Sequence, residues 1–323
     1  MPSFWSSFPR VQAGVARVTQ RVRAQADRLP PELREELAPL MRTEGKALRA
    51  GLILLAAGDP PPDRLDAVEA AASSVELLHL ATLVHDDIVD QAALRRGEPA
   101  LHRVLGPQKA VLYGDLLFAS AFRSGSREVG SDSARSLADL VAVMAMAEIQ
   151  QWHDRFRLPI SPRRILRKTM GKTALLFSLS FYVGAREGGR SEGVALALRR
   201  AGYALGMAFQ IQDDLLDWTG SSAVLGKPIL EDLVSGIYTW PVAEAWKADP
   251  VQTKRELTEV RAGRLAAGEL RDRWIRSDWW AGTEGLLQRY LDRVRRDLDR
   301  ALGTTHERHE WDRFLGLLLR RKD

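Results

Sequence analysis

Two pentads in this chain, Asp86-Asp87-Ile88-Val89-Asp90 and Asp213-Asp214-Leu215-Leu216-Asp217, both read D-D-x-x-D. With aspartate at roughly one residue in fifteen, that frame arises by chance about once in 3,000 positions, so two copies are not accidental. Each copy ends a stretch with a helical hydrophobic period. On a helix, the first and last aspartates lie at i and i+4 on one face, within reach of one another. Such carboxylates repel unless a cation sits between them. Oxygen-only ligands suit Mg²⁺, which takes one or two carboxylates and completes its shell with water and substrate phosphates. Arg95-Arg96-Gly97 follows the first pentad and reads as a donor pair at a helix end, suited to bidentate phosphate contacts. Lys172-Thr173 and Lys227 add further cations and a hydroxyl. Lysine is otherwise scarce, with eight in the chain, at 46, 109, 168, 172, 227, 247, 254 and 322. Carboxylates, metal and fixed cations together make a site for a diphosphate, and the arrangement occurs twice.

The elements that must carry these groups are helices. From Leu65 to Asp90 the apolar positions Val68, Ala72, Val75, Leu78, Thr82 and Val89 follow a spacing of three and four. The stretches 11–28, 45–57, 109–122, 133–153, 163–183, 192–217 and 284–302 read alike. Pro30-Pro31, Asp59 to Pro62, Gly97 to Pro99, Gly106-Pro107, Pro159 to Pro162 and Gly188-Gly189 punctuate them. No run alternates cleanly enough for a strand, and no low-complexity linker or repeat appears. The expectation is an all-α single domain over residues 1–323, a bundle of about ten helices around a deep apolar cavity.

Bulk properties narrow the function. The chain has 323 residues, 45% of them apolar, and no cysteine. Disulfides, thiolate zinc and a cysteine nucleophile are therefore excluded. Met1 to Trp5 lacks the charged start and apolar run of a signal peptide. Apolar stretches such as Gly51 to Gly58 and Leu140 to Ala147 fall short of the ~20 residues that span a bilayer and read as buried helix. A cytoplasmic protein without stable membrane insertion is expected. The net charge is +5, but the arginines alternate with acids, as in Arg293, Arg295, Arg296 and Asp297. No basic run is interleaved with stacking aromatics, so the charge reads as a solvated helical surface and not a nucleic-acid face.

Longer segments around the pentads closely resemble the trans-polyprenyl diphosphate synthases. They are Gly45 to Arg49, Glu76 to His79, Leu83 to Asp90, Leu94 to His102, Val111 to Asp115, Lys172 to Phe177, Gly206 to Asp217 and Leu225 to Pro228. The matches run in order over about residues 40–241, leaving 242–323 as C-terminal helices without a motif. The resemblance implies the isoprenoid synthase-like fold, a homodimer, and Mg²⁺, with three ions per site. It implies head-to-tail, repeated condensation of isopentenyl diphosphate with an allylic diphosphate, farnesyl or geranylgeranyl. By the same resemblance isopentenyl diphosphate falls to Lys46, Arg49, His79 and Arg96. The allylic diphosphate falls to Arg95, Lys172, Thr173, Gln210 and Lys227. Metal falls mainly to Asp86, Asp90 and Asp213, with Asp87, Asp214 and Asp217 weaker or outer ligands, and Phe209 packs against the prenyl group. Asp86, Asp90, Lys172, Asp213 and Lys227 form the implied catalytic set. Ala81 and Thr82, one turn before Asp86, are small, which implies a product of geranylgeranyl length or longer. Phe118 or Phe122 on the next helix is a candidate floor, though core packing is the plainer role.

The chain departs from the family at several points. Ala47 stands for a usual arginine and Ala50 for a usual proline, and Glu231 and Ser235 are atypical. In Gly236-Ile237-Tyr238-Thr239-Trp240-Pro241, Ile237 stands where the family commonly has a lysine. The lost cation leaves open a second reading, a subunit of a heteromeric synthase weakly active alone. A phosphohydrolase built on His85-Asp86 would need further histidines with supporting context. A terpene cyclase would replace the second aspartate pentad by an asparagine/serine/glutamate motif. Trp274, Trp279 and Trp280 read as core or self-dimer packing.

Overall fold

The computed structural model describes residues 4–42, 45–95, 97–128, 130–220, 229–303 and 306–319. It divides into two compact units, Met1–Asp139 with Leu179–Arg199, and Leu140–Ser178 with Arg200–Asp323. Eleven helices of ten residues or more occur among the described residues, with shorter ones between them. That accounts for the expected ten, and the short ones lie where the hydrophobic period is too brief to read.

The first unit holds α1 (Pro9–Ala26), α2 (Pro31–Arg42), α3 (Leu48–Ala57), α4 (Leu65–Val89), α5 (Leu101–Leu105) and α6 (Pro107–Glu128). It also takes the start of α7 (Ser131–His153), most of α9 (Leu175–Glu187) and the start of α10 (Glu192–Thr219). The sequence gives α4 an apolar stripe, but the helix is buried nearly all round. Ala70, Ala71, Ala72, Ser73, Ser74 and Ala81 are all within 1% of full burial. Side chains this small let neighbouring helices close on every face. Val89, expected on the inner face, is 46% exposed because it belongs to the last turn. With the turn before it, Pro62–Val89 is long and apolar enough to cross a membrane, against the sequence expectation, yet 72% of its apolar window is buried in the protein. The buried Glu69 carboxylate accepts from Arg17 at 2.5 Å. At the N-terminus, Trp5 and Phe8 are sealed in the core. Trp5 Nε1 donates to Lys46 O at 2.8 Å, and its ring lies where a side chain on Gly51 would stand.

After α4 comes a two-residue hairpin, β1 (Leu94–Arg95) with β2 (Glu98–Pro99), in register Leu94↔Pro99. Arg95 is therefore on a hairpin and not at a helix end as the sequence suggested. Gly97, at φ +86°, takes the left-handed turn conformation open to glycine. Strands of two residues are too short for alternation to show.

The second unit holds the rest of α7, α8 (Pro162–Thr169), a π-helical turn (Met170–Ala174), the first turn of α9 and the body of α10. It continues with α11 (Glu231–Val234), α12 (Trp240–Ala248), α13 (Pro250–Arg261), α14 (Ala267–Trp274), α15 (Trp280–Leu302) and α16 (His306–Leu319). Its core is built on indoles. Trp218 stacks on Trp274 at 5.3 Å and meets Trp280 at 6.0 Å, and Trp274 Nε1 donates to the buried Glu256 at 2.7 Å. The C-terminal tryptophans are thus core, with Trp279 at its edge against both neighbours. Leu140 to Ala147 is not the buried helix the sequence suggested. Along α7 the side chains of Met146, Ile149 and Trp152 are each more than half exposed.

Candidate active site

In the first unit, the last turn of α4 divides its aspartates by direction. Asp87 is buried, and Arg95 Nε donates to its two carboxylate oxygens at 2.9 and 3.1 Å, with a further short bond from Nη2. Asp86 is half-buried and Asp90 exposed. The middle aspartate therefore belongs to the fold, tying the hairpin to the helix end, while its neighbours are more accessible. The sequence reading gave Arg95 to the allylic diphosphate. In the structure Arg95 satisfies a buried carboxylate that would otherwise be costly to leave alone. Arg96 lies outside the described residues.

His85 points across to α6. Its Nε2 is 3.2 Å from Val111 O and 3.6 Å from Asp115 Oδ1, and its ring meets Phe118 at 5.4 Å. The ring occupies the space a side chain on Gly114 would need, so only glycine fits there. This is the physical content of Tyr113-Gly114-Asp115, and it engages the histidine that a His-Asp phosphohydrolase would use. Phe118 packs on His85, while Phe122 is partly exposed.

Arg49 Nη1 lies 2.9 Å from His79 Nε2. Arginine can only donate, so Nε2 accepts and the neutral ring carries its proton on Nδ1. Ahead of α3, Ala47 takes a left-handed conformation at φ 40°, and the Lys46 ammonium stands 5.2 Å from the Phe4 ring centre. Three of the four residues assigned to isopentenyl diphosphate, Lys46, Arg49 and His79, thus lie on α3, just before it, or on α4. Ala81 is fully buried, and the Thr82 hydroxyl donates back to His79 O at 2.8 Å.

In the second unit, Lys172 and Thr173 sit in the π-helical turn, a widened turn that is common at functional sites. Thr173 Oγ1 donates to Gln210 Oε1 at 2.7 Å, and Gln210 Nε2 donates to Asp214 Oδ1 at 3.0 Å. The hydroxyl fixes which end of the amide faces the carboxylate. Lys172 Nζ is 3.3 Å from Glu148 Oε1. Phe209 lies against Phe177 at 5.3 Å. Gly206 lets α10 approach this turn closely, since a Cβ there would stand 2.5 Å from Ala174 Cα.

The second pentad repeats the inward middle aspartate. Asp214 is buried, and burial pushes its pKa up to about 7, against the pull of Lys168 and the Gln210 amide. Asp217 is also buried and accepts from Leu230 N at 3.2 Å, holding the chain that enters α11. Asp213 alone of the three is partly exposed. Lys227 lies outside the described residues.

A cavity of about 380 Å³ opens in this unit, lined by apolar residues such as Val143, Met146, Ile160 and Ile165, by Lys168, and by Ile237 and Tyr238. No pentad aspartate lines it; it lies between α7, α8 and the 237–238 segment. Lys168, whose only signal in the sequence was the scarcity of lysine, lines this cavity. Its Nζ donates to Tyr238 O at 3.2 Å. Burial lowers its pKa, while Asp214 and Asp232 act to raise it.

The family profile described as Polyprenyl synthetase matches residues 30–270. The chain is similar to heptaprenyl diphosphate synthase component 2 of Geobacillus stearothermophilus, 34% identical over 83% of this chain and 83% of the relative. It is similar also to geranylgeranyl diphosphate synthase of Methanosarcina mazei, 38% identical over 68% of each chain. A solved polyprenyl synthase from Caulobacter crescentus, complexed with calcium and isoprenyl diphosphate, superposes with a TM-score of 0.84 at 29% identity, covering 96% of this chain and 95% of that one.

Proposed function

Because this chain belongs to the polyprenyl synthetase family, we propose that it condenses isopentenyl diphosphate with an allylic diphosphate, head to tail and repeatedly. The observation that carries this reading is the sorting of the two pentads. Each turns its middle aspartate into the protein and keeps its first accessible, and the second stands beside a Lys-Thr-Gln chain suited to a diphosphate.

Dependence on Mg²⁺ is part of the proposal. Among the described residues, no three acidic or histidine side chains form a ready-made cage. Mg²⁺ does not need one, because one or two carboxylates plus water and phosphate complete its shell. Asp86 and Asp90 at i and i+4, and Asp213, offer hard oxygens of that kind. Mg²⁺ held there would offset the negative charge growing on a departing diphosphate. The Caulobacter relative, solved with calcium and isoprenyl diphosphate, is in keeping with this.

The remaining chemistry falls to the chain's own groups. The Lys172 ammonium and Thr173 hydroxyl hold the allylic diphosphate while its carbon–oxygen bond breaks and positive charge spreads over the prenyl carbons. Preorganised donors of this kind stabilise the transition state without reorganising at the moment of reaction. Arg49, with His79 behind it, and Lys46 hold the isopentenyl diphosphate, whose double bond attacks the cation. A proton then leaves to the released diphosphate, so no protein nucleophile is required. Small Ala81 and Thr82 support products of geranylgeranyl length or longer, as the names of the geranylgeranyl and heptaprenyl relatives do. The exposed Met146, Ile149 and Trp152 of α7 support a homodimer, because apolar side chains grouped in this way are usually covered.

The test is incubation with radiolabelled isopentenyl diphosphate, farnesyl diphosphate and Mg²⁺, with and without EDTA, followed by dephosphorylation and separation by length. A metal-dependent ladder ending at one length is expected. The similarity to a protein named as component 2 favours one alternative, a heteromeric subunit. No incorporation with any allylic primer would turn the reading to that alternative.

A further inference from the structure

The family resemblance implies a cation where this chain has Ile237, and the structure places a cation of its own, Lys168, against the same segment. Lys168 reaches from α8 to the carbonyl of Tyr238, the residue after Ile237, at 3.2 Å. Lys168, Ile237 and Tyr238 line one cavity, together with Met170 and Gly171 of the π-helical turn that carries Lys172. An ammonium has three protons to donate. Among the described residues that backbone carbonyl is the one acceptor within hydrogen-bonding distance. Asp214, Asp232 and Glu148 of α7 act to raise its pKa, and Lys172 in the neighbouring turn acts to lower it. A partly buried lysine costs stability unless it is used, since desolvation disfavours its charged form. Ile165, Met170 and Ile237 line the same cavity, so an apolar side chain at 168 would have apolar neighbours.

We propose that Lys168 is a diphosphate-binding residue of this enzyme, supplying from α8 the charge that Ile237 no longer supplies from the segment before α12. The proposal rests on the prenyl-transfer reading above. It makes positions 168 and 237 a pair whose charge can sit on either member. It also explains how a chain with isoleucine at 237 retains a full set of pentad aspartates: the site has moved a cation and not lost one.

The experiment uses the full chain and three variants, Lys168→Met, Lys168→Arg and the double variant Lys168→Met/Ile237→Lys. Binding of inorganic pyrophosphate in the presence of Mg²⁺ is read by calorimetry, and KM and kcat are read for the allylic diphosphate. Lys168→Met should fold, because it replaces a desolvated charge by an apolar chain of similar length, and its thermal midpoint is read first. Its pyrophosphate affinity should fall by about tenfold or more, the scale of one charge-assisted contact, with KM rising and the thermal midpoint unchanged or higher. Ile237→Lys in that background should restore affinity to within a few-fold of the parent, and Lys168→Arg should retain most of it. If Lys168→Met binds pyrophosphate as the parent does, the proposal is overturned. A loss that Ile237→Lys does not restore overturns it equally, and marks Lys168 as a structural partner of Asp214. A parent chain that transfers no prenyl group while binding pyrophosphate through Lys168 would sink the prenyl-transfer reading alone.

Discussion

The close approach of α10 to the π-helical turn offers a sharp test of how the second site is held. A Cβ added at Gly206 would stand 2.5 Å from Ala174 Cα and 3.0 Å from Phe177 Cβ. Carbon atoms reach their optimum near 3.5–4.0 Å, so the two backbones must part by about 1 Å. Forcing a methyl into packed surroundings costs about 1–3 kcal/mol. Replacing glycine by alanine inside a helix returns roughly 1 kcal/mol of that. Gly206→Ala should therefore lose about 0–2 kcal/mol net. Gly193 is the internal control, since it lies in the same helix and a Cβ there meets nothing within 4 Å. Gly193→Ala should gain roughly 0.5–1 kcal/mol. Urea unfolding followed by helical circular dichroism reads both midpoints. The same parting of backbones lengthens the 2.7 Å Thr173–Gln210 bond, so Gly206→Ala should also raise KM for the allylic diphosphate. If Gly206→Ala moves the midpoint upward with Gly193→Ala, the contact described here is wrong and the argument for the turn's position falls with it.

Three further outcomes follow from the same geometry. Gln210→Leu removes the donor to Asp214 and the acceptor of Thr173, and loss of a charge-assisted bond of roughly 1.5–3 kcal/mol should raise KM by about tenfold or more. An unchanged KM would refute a role for the Thr173–Gln210–Asp214 bonds in holding the allylic diphosphate. Asp214 has its folded pKa raised to about 7 from 3.8, so the folded protein binds the proton more tightly and stability is lost as pH rises between those values. In EDTA, Asp214→Asn should melt higher than the parent above pH 7, with the gap closing as pH falls towards the lower value; a gap independent of pH would refute the assignment. Thr82→Phe places an aromatic one turn before Asp86 and should shorten the prenyl ladder, while an unchanged ladder would remove Thr82 from the control of length.

What could be read from the residues alone follows a physical division. Aspartates at i and i+4 announce themselves by type and spacing, because few structural needs would place acids so closely. Which of them turns inward was not legible, since Asp87 and Asp214 differ from their neighbours only in what packs against the helix. The bond of Arg95 to Asp87 was not legible for the same reason: its charge suits phosphate, and only the hairpin at Gly97 reveals that it folds back on Asp87. Leu140 to Ala147 shows that apolar composition marks a surface to be covered without saying what covers it. Trp5 was invisible as the anchor of α3 because its partners, Lys46 O and Gly51, are some forty residues away in sequence. Lys168 carried no motif at all, and only a carbonyl 70 residues on gives it a place. Lys227 and Arg96, both prominent in the sequence, lie outside the described residues.

The widened turn at Met170–Ala174 has a genetic consequence. A π-helical turn holds one more residue than an α-helical one, and each residue advances a regular helix by about 100°. Loss of a single codon from this stretch would let α8 and α9 fuse into one ordinary helix. No side chain of the site would need to change identity. Every residue before the deletion would be rotated by more than a quarter-turn against those after it, swinging Lys168 off the Tyr238 carbonyl while Thr173 kept its bond to Gln210. A reading frame intact in every motif would then encode a protein in which the two cations no longer serve the same ligand.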